Sequence, residues 1–483
     1  MSRAMRMGLV LLAGAYACSG DAGEQTPDPF APQPDTSEGL TNVSADLMAV
    51  LEGGALRGAC DAYWGAVAEG RDTRRMRLLC GKEMFFYEGF DTLGVPRSLL
   101  EANMASFPGL IGPGAVGLGM IADPTSDAGH PLGFGPGKDL APGVPTLAFT
   151  CASCHFARLA DGRFVMGAPA FDFEYGELNL VMAALPLVLL GQPLHPAAEQ
   201  KLAAYLAALE SDPLIAASLF VALTPLITAG ASIPPFDQAT QAAYASWKPG
   251  TMDFVITPLP IDDRVHTISK IMSLWGIPDD EEVLRYDMEG ALLAHTGVTT
   301  SIDHFLRGFV ILGDGDLDTW TAARLGPLAD YLLTLRAPEN PEPLDSARVA
   351  QGRALFDSAG CVDCHDGARG SSRTVYGFDE IGSDTAMMYW LDPDLDGQPC
   401  CDVDLLGRDA LTQGLRAPRL TGVWSAQRLL HNGSIDSLES LFCMNGLRPT
   451  IEQSPYSDRG HTFTCDGLTD DEKTALMEFL RSL

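Results

Sequence analysis

Apolar positions recur at helical spacing in three places toward the C-terminal half of the chain. Ser346 to Ser358 sets Val349, Gly352, Leu355 and Phe356 on one face and predicts a helix. Thr469-Asp470-Asp471-Glu472 is a capping box, and it predicts a final helix burying Leu476, Phe479, Leu480 and Leu483. Ala322 to Arg336 carries Leu325, Leu328, Ala329, Tyr331, Leu332 and Leu335 and predicts another helix. Pro338-Glu339-Asn340-Pro341 then breaks the pattern as a linker. Two stretches, Leu178–Leu194 and Pro213–Phe236, hold no charged residue at all. The second has the length of a bilayer span. Pro186, Pro193, Pro225 and Gly230 interrupt the two runs, and both read as buried helices of a large domain. Residues 19–42 are the opposite case: rich in Pro, Asp, Glu, Ser and Thr, they read as a flexible tether.

The extreme N-terminus changes the picture from fold to compartment. Arg3 and Arg6 precede an apolar run from Gly8 to Ala17, too short to span a membrane, and Cys18 follows it. Residues 1–18 read as an export signal of lipoprotein type, with Cys18 the candidate for acylation. The expected location is the periplasm or cell surface of a bacterium, with a lipid anchor as the expected membrane attachment. The chain carries 63 Asp and Glu against 32 Lys and Arg, a formal charge of -31, which argues against nucleic acid as a partner. With 46% hydrophobic residues it can pack a core over most of its length.

Eleven cysteines are present. Four fall in two Cys-x-x-Cys-His motifs, Cys151–Cys154–His155 and Cys361–Cys364–His365. A haem c needs two thiols, one for each vinyl group, and an imidazole next to them for the iron; this spacing supplies all three. Twice in an exported chain, the pattern predicts two covalently bound haems c, each with its histidine (His155, His365) on the iron. With the signal cysteine set aside, Cys60, Cys80, Cys400, Cys401, Cys443 and Cys465 remain, an even set for disulfides. Proximity favours Cys60–Cys80 and Cys443–Cys465 and leaves a vicinal Cys400–Cys401 pair. The predicted fold is mainly α: a haem domain over 43–338, enlarged by a helical insertion between its motif and its closing helix, and a cytochrome c-type domain over 345–483.

Sixth ligands separate electron transfer from catalysis, because a filled position tunes potential and an open one binds oxygen or peroxide. In the second unit Met444, His461 and His431 are the candidates; in the first unit none stands out among His266, His295 and His304. Trp275 and Trp424 are candidate electron relays. Asp392, Asp394 and Asp396, before Gly397, resemble the start of a calcium loop, although no Glu stands at its twelfth position.

The segment Ala417-Pro418-Arg419-Leu420-Thr421-Gly422-Val423-Trp424, followed by Leu430-His431-Asn432-Gly433-Ser434, resembles the C-terminal domain of bacterial di-haem cytochromes, the superfamily of the cytochrome c peroxidases and di-haem rubber oxygenases. Glu380-Ile381-Gly382-Ser383-Asp384, Gly460-His461-Thr462-Phe463 and Ser273-Leu274-Trp275-Gly276 look closer to the rubber oxygenase branch. The resemblance implies a reactive N-terminal haem and a six-coordinate C-terminal one. It points to His461 as the sixth ligand in one branch and to Met444 in the other. The expected activity is an oxidoreductase that activates peroxide or dioxygen at the His155 haem, with a redox protein or a small-molecule oxidant as partner. The alternative is a pure electron-transfer cytochrome with both irons six-coordinate.

Overall fold

Helices dominate the chain, and the computed structural model describes residues 28–230, 236–253, 267–288, 293–295, 299, 301–388, 414–446, 448 and 457–483. The signal, Cys18, His266, the Asp392–Asp396 turn and the Cys400–Cys401 pair lie outside these residues.

Three cores organise what is described. The first forms where the Arg74–Tyr87 helix packs on Ala322–Leu332 and on Ala59–Ala68, the last pair joined by the Cys60–Cys80 disulfide. Phe85, Phe86, Trp320 and Tyr331 fill it. Lys82 is also fully buried here, its ammonium bonded to Glu52 and to the Thr41 carbonyl at 2.8 and 2.7 Å.

The second core holds the two uncharged stretches. Tyr175–Leu189 is one apolar helical run, broken by a π turn over Leu180–Ala184 and buried along most of its length. Pro213–Ala229 is a helix that Gly230 ends in the left-handed conformation. Leu219, Ala222, Leu223 and Leu226 form its buried stripe at helical spacing, while Leu214, Val221 and Ile227 face outward. It meets the Ala203–Ser211 helix at a bend of 106°, and among the described residues no single helix is long and apolar enough to cross a membrane. This core is not made from the insertion alone. The Arg97–Ser106 helix and the small antiparallel sheet of Val95–Pro96, Thr146–Phe149 and Phe134–Pro136 also belong to it, and they precede the first motif.

The third core is a crossing of two helices, Ser346–Ser358 and Asp470–Arg481. Both capping-box bonds at Thr469 and Glu472 are made. Gly352 allows the crossing, since a Cβ there would stand 1.9 Å from the Ala475 carbonyl oxygen. The tether reading of 19–42 is corrected for its described part. Phe30 stands edge-on to Phe356 and Phe479, each ring 5.5 Å away, and Asp28 pairs with Arg353 at 2.8 Å. Leu40 is buried in the first core, and Asn42 accepts a hydrogen bond from Tyr331. Composition predicts solvation here because polar residues outnumber apolar ones, yet Phe30 and Leu40, the two large apolar residues, suffice to seat the segment on the first and third cores.

Candidate functional site

The first motif is one helical turn, Cys151–His155, capped by Thr150, whose hydroxyl accepts the Ala152 amide and donates to the Phe86 carbonyl. Gly133, at φ +96°, lets the chain pass over this turn, because a Cβ would lie 2.4 Å from the Ser153 nitrogen. Neither Cys151 nor Cys154 is in a disulfide, and burial pushes both thiols up to about 12. Burial holds the His155 imidazole down at about 4, with the Met272 backbone opposing in part, so the ring is neutral at ordinary pH. Its Nδ1 has no hydrogen-bond partner. No sequence pattern marks Met252, which on the Thr251–Asp253 strand brings its Sδ within 3.8 Å of Cys154 Sγ.

The second motif leaves the Ser346–Ser358 helix through Gly360, in the left-handed region, and winds Cys361–Asp363 as a 3-10 turn. His365 Nδ1 donates to the Gly370 carbonyl, which fixes the tautomer and leaves Nε2 with a free lone pair. A cavity of about 260 Å³ opens beside it, lined by Cys361, Cys364 and His365 and also by His461. His461 sits at φ +54° on the loop before the last helix. Burial first, then the nearby charges of His365 and Arg448, hold its pKa at about 3, and its Nδ1 lacks a partner.

Arg448 explains how that loop holds its shape. Its guanidinium, almost wholly buried, donates to the carbonyls of Asp458, Gly460 and His461, and pairs with the Asp458 carboxylate at 3.7 Å. The Cys443–Cys465 disulfide and the Thr464 hydroxyl, which donates to the His461 carbonyl at 3.1 Å, close the loop from the other end. Arg448 follows no periodic pattern, and reading the sequence misses it.

The remaining candidates are scattered or committed. His431 lines the cavity, but its Nε2 stands 3.3 Å from Asp384 and its Nδ1 3.5 Å from the Ser383 hydroxyl. Met444 packs against the third core and is not among the cavity-lining residues. His304 stands in the first turn of the Ile302–Leu312 helix, far along the chain from either motif. His295 is buried and lines the cavity, its Nε2 without a partner. Trp424 donates to the Pro338 carbonyl at the linker. Trp275 is different: it spans the two motifs. Its indole donates to Met166 at 2.7 Å, the next residue's amide bonds the His155 carbonyl at 2.8 Å, and its far edge presses on Gly422, whose Cβ would lie 2.3 Å away. It also lines the cavity of the second motif.

Burial, with Lys270 and His431 adding like charge, holds the His295 pKa well below its ordinary 6.5. The folded state therefore keeps His295 neutral, while the unfolded chain takes up a proton below pH 6.5. That contribution to stability is full above pH 6.5 and is lost as pH falls, at up to about 1.4 kcal/mol per pH unit for one group. Thermal midpoints measured from pH 7.5 to pH 5 should fall less steeply in His295→Gln than in the parent chain; equal slopes would rule the assignment out.

The pair of thiols, the tautomer-fixed imidazole and a second histidine on the same cavity with an unpartnered Nδ1 fit a haem attached through Cys361 and Cys364. Among the described residues no group of three or more His, Cys, Asp or Glu side chains is placed to hold a bare metal ion. No protein-family model matches the chain. No curated protein matches it either. One solved structure, described as "a MauG-like protein associated with microbial copper homeostasis", aligns at 17% identity over 44% of this chain and 73% of that one. Its TM-score of 0.27 is too low for the likeness to carry any argument here.

Proposed function

We propose that the chain is an exported di-haem c-type cytochrome, tethered through Cys18, with redox chemistry at the His155 site and electron transfer through the His365 site. The observation that carries this reading is the second cavity, where His365 with its Nδ1 bonded to the Gly370 carbonyl and His461 with an unpartnered Nδ1 line one space with two free cysteines. Such groups supply one-electron chemistry at iron and, where a coordination position is open, a place for peroxide or dioxygen. The chain's own contribution follows from its residues. His365 and His461 are both held neutral, as ligands must be. Trp275 fills the ground between the sites and excludes water from it, and we assign it the relay. We take the iron that His155 would hold to be the accessible one, as the resemblance to the di-haem cytochromes implies.

Met252 favours a second reading. A thioether next to Cys154 is suited to ligate, and a ligating methionine would make the protein a pure electron-transfer cytochrome. Ligand binding separates the two. We expect cyanide in the oxidised protein, or carbon monoxide in the reduced protein, to perturb one haem spectrum and leave the other unchanged, and we expect peroxide turnover with a reduced donor. Two low-spin spectra insensitive to both ligands, with a near-infrared band of His–Met type lost in Met252→Leu, would decide for electron transfer alone.

A further inference from the structure

The cavity beside His365 is charged in a way the rest of the molecule is not. The chain carries nearly twice as many acidic as basic side chains, yet no Asp or Glu is among the residues lining this space. Lysine and arginine line it instead, and three of them come from distant parts of the chain: Lys270 from the first unit, and Arg416 and Arg419 from the second. Arg416 and Arg419 are 3% and 7% exposed, and Lys270 is half-buried.

Removing a cation from water costs several kcal/mol unless an anion or a full set of acceptors compensates. The acceptors here are incomplete. Arg416 donates through Nε to the Ala294 carbonyl and through Nη1 to its neighbour's carbonyl at 3.4 Å, leaving Nη2 with no partner. Arg419 donates to the carbonyls of Trp275 and Ser273 and leaves Nη1 with none. Neither these two nor Lys270 makes an ion pair with any carboxylate among the described residues. The consequence shows in their acidities. Burial alone lowers Lys270 to about 8 and Arg416 to about 10, and burial with repulsion from Arg416 and Arg369 lowers Arg419 to about 9. Three cations lining one largely apolar space and short of acceptors, with Arg416 also repelling Arg419, are arranged for an anion that enters it.

We propose that Lys270, Arg416 and Arg419 form a carboxylate-binding wall contributed by both units, and that it receives the carboxylates of the group attached at Cys361 and Cys364. This rests on the di-haem reading. A haem attached through its vinyl positions still carries two propionate carboxylates, and the planar fork of arginine suits a carboxylate better than a single point charge does. Lys270 gives the wall a second role. Because it belongs to the first unit, the charge of the group held in the second is partly neutralised across the boundary, so the second potential depends on the first unit being docked.

The test uses the full mature chain and begins with haem content by pyridine spectrum, which judges the di-haem reading separately. Potentiometric titration then compares the parent with Lys270→Gln, Lys270→Arg and Arg416→Lys. Loss of a positive charge near the group favours its oxidised form. Lys270→Gln should therefore keep two haems while one midpoint falls by a tenfold change in the reduced-to-oxidised ratio, about 59 mV for a one-electron couple. The other midpoint should stay in place, and Lys270→Arg should restore the first. Succinate supplies the second arm. No effect of succinate on the parent is expected when the attached carboxylates fill the wall. A rise in thermal midpoint with succinate, absent in Lys270→Gln, would assign the same chemistry to a free carboxylate. Arg416→Lys keeps the charge and loses the fork, so it should shift the same midpoint by less. Unchanged potentials in the three variants, with no response to succinate, overturn the proposal even if both haems are present. Should Lys270→Gln fail to accumulate, Arg416→Lys and the succinate arm on the parent decide alone.

Discussion

Changing Cys361 and Cys364 to alanine should remove one haem and leave the other, and changing Cys151 and Cys154 should do the converse. The parent protein should exceed its chain mass by about two haems and give a c-type pyridine spectrum. The two changes should act independently because the motifs sit in different cores, one beside Phe86 and the other behind the Ser346–Ser358 helix. All four cysteines are free of disulfides, so the substitutions break no cross-link. Mass spectrometry of the intact variants reads the result directly. A parent with one haem, or with none, would remove the basis of the proposed function.

The second large effect belongs to His461. His461→Ala should turn the second haem from low spin to high spin in the oxidised protein and shift its potential, whereas Met444→Leu should leave both unchanged. The reason is geometric: His461 opens on the same cavity as His365, while Met444 packs into the helix crossing. Arg448 supplies a graded version of the experiment. It is not among the cavity-lining residues but holds the carbonyls of Asp458, Gly460 and His461, so Arg448→Ala should loosen ligation about 10–100-fold without deleting the ligand. Absorption and electron paramagnetic resonance spectra of the oxidised variants give the spin state. A low-spin second haem in His461→Ala would reassign the ligand, with His431 next in line once its pairing with Asp384 is broken.

Much of the helical framework is legible without coordinates, because it rests on periodicity and local capping. Ser346–Ser358 and the Thr469 capping box are found as the sequence pattern predicts, and so are the Cys60–Cys80 and Cys443–Cys465 pairs. The motifs are legible too, since their spacing is the chemistry. The inner surface of the second site is not. His461, Leu430 and Arg369 stand at positive φ, in segments whose direction is set by neighbours distant in the chain rather than by a repeat. Lys270 and Arg416 look like any surface cations in the sequence; only the fold brings residues so distant in the chain to one cavity. Met252 and Trp275 owe their positions to close approaches of glycines and strands that leave no trace in hydropathy. The second core draws on residues before the motif as well as after it, a rearrangement of chain order that a reading by segments cannot anticipate.

The packing of Phe30 against Phe356 and Phe479 sets an order of assembly. Its partner Asp28 lies 325 positions from Arg353, and Phe479 stands only a few residues from the end of the chain. Contacts of such separation are slow to form, because the intervening loop must close before they reward the chain. Leu40 and Asn42 can seat once the Ala322–Leu332 helix is in place, but Phe30 finds its ring partners only when Phe356 and Phe479 have come together. Phe30 thus acts as a latch across the crossing of the Ser346–Ser358 and Asp470–Arg481 helices, and a Phe479→Ala chain would leave one side of its ring uncovered.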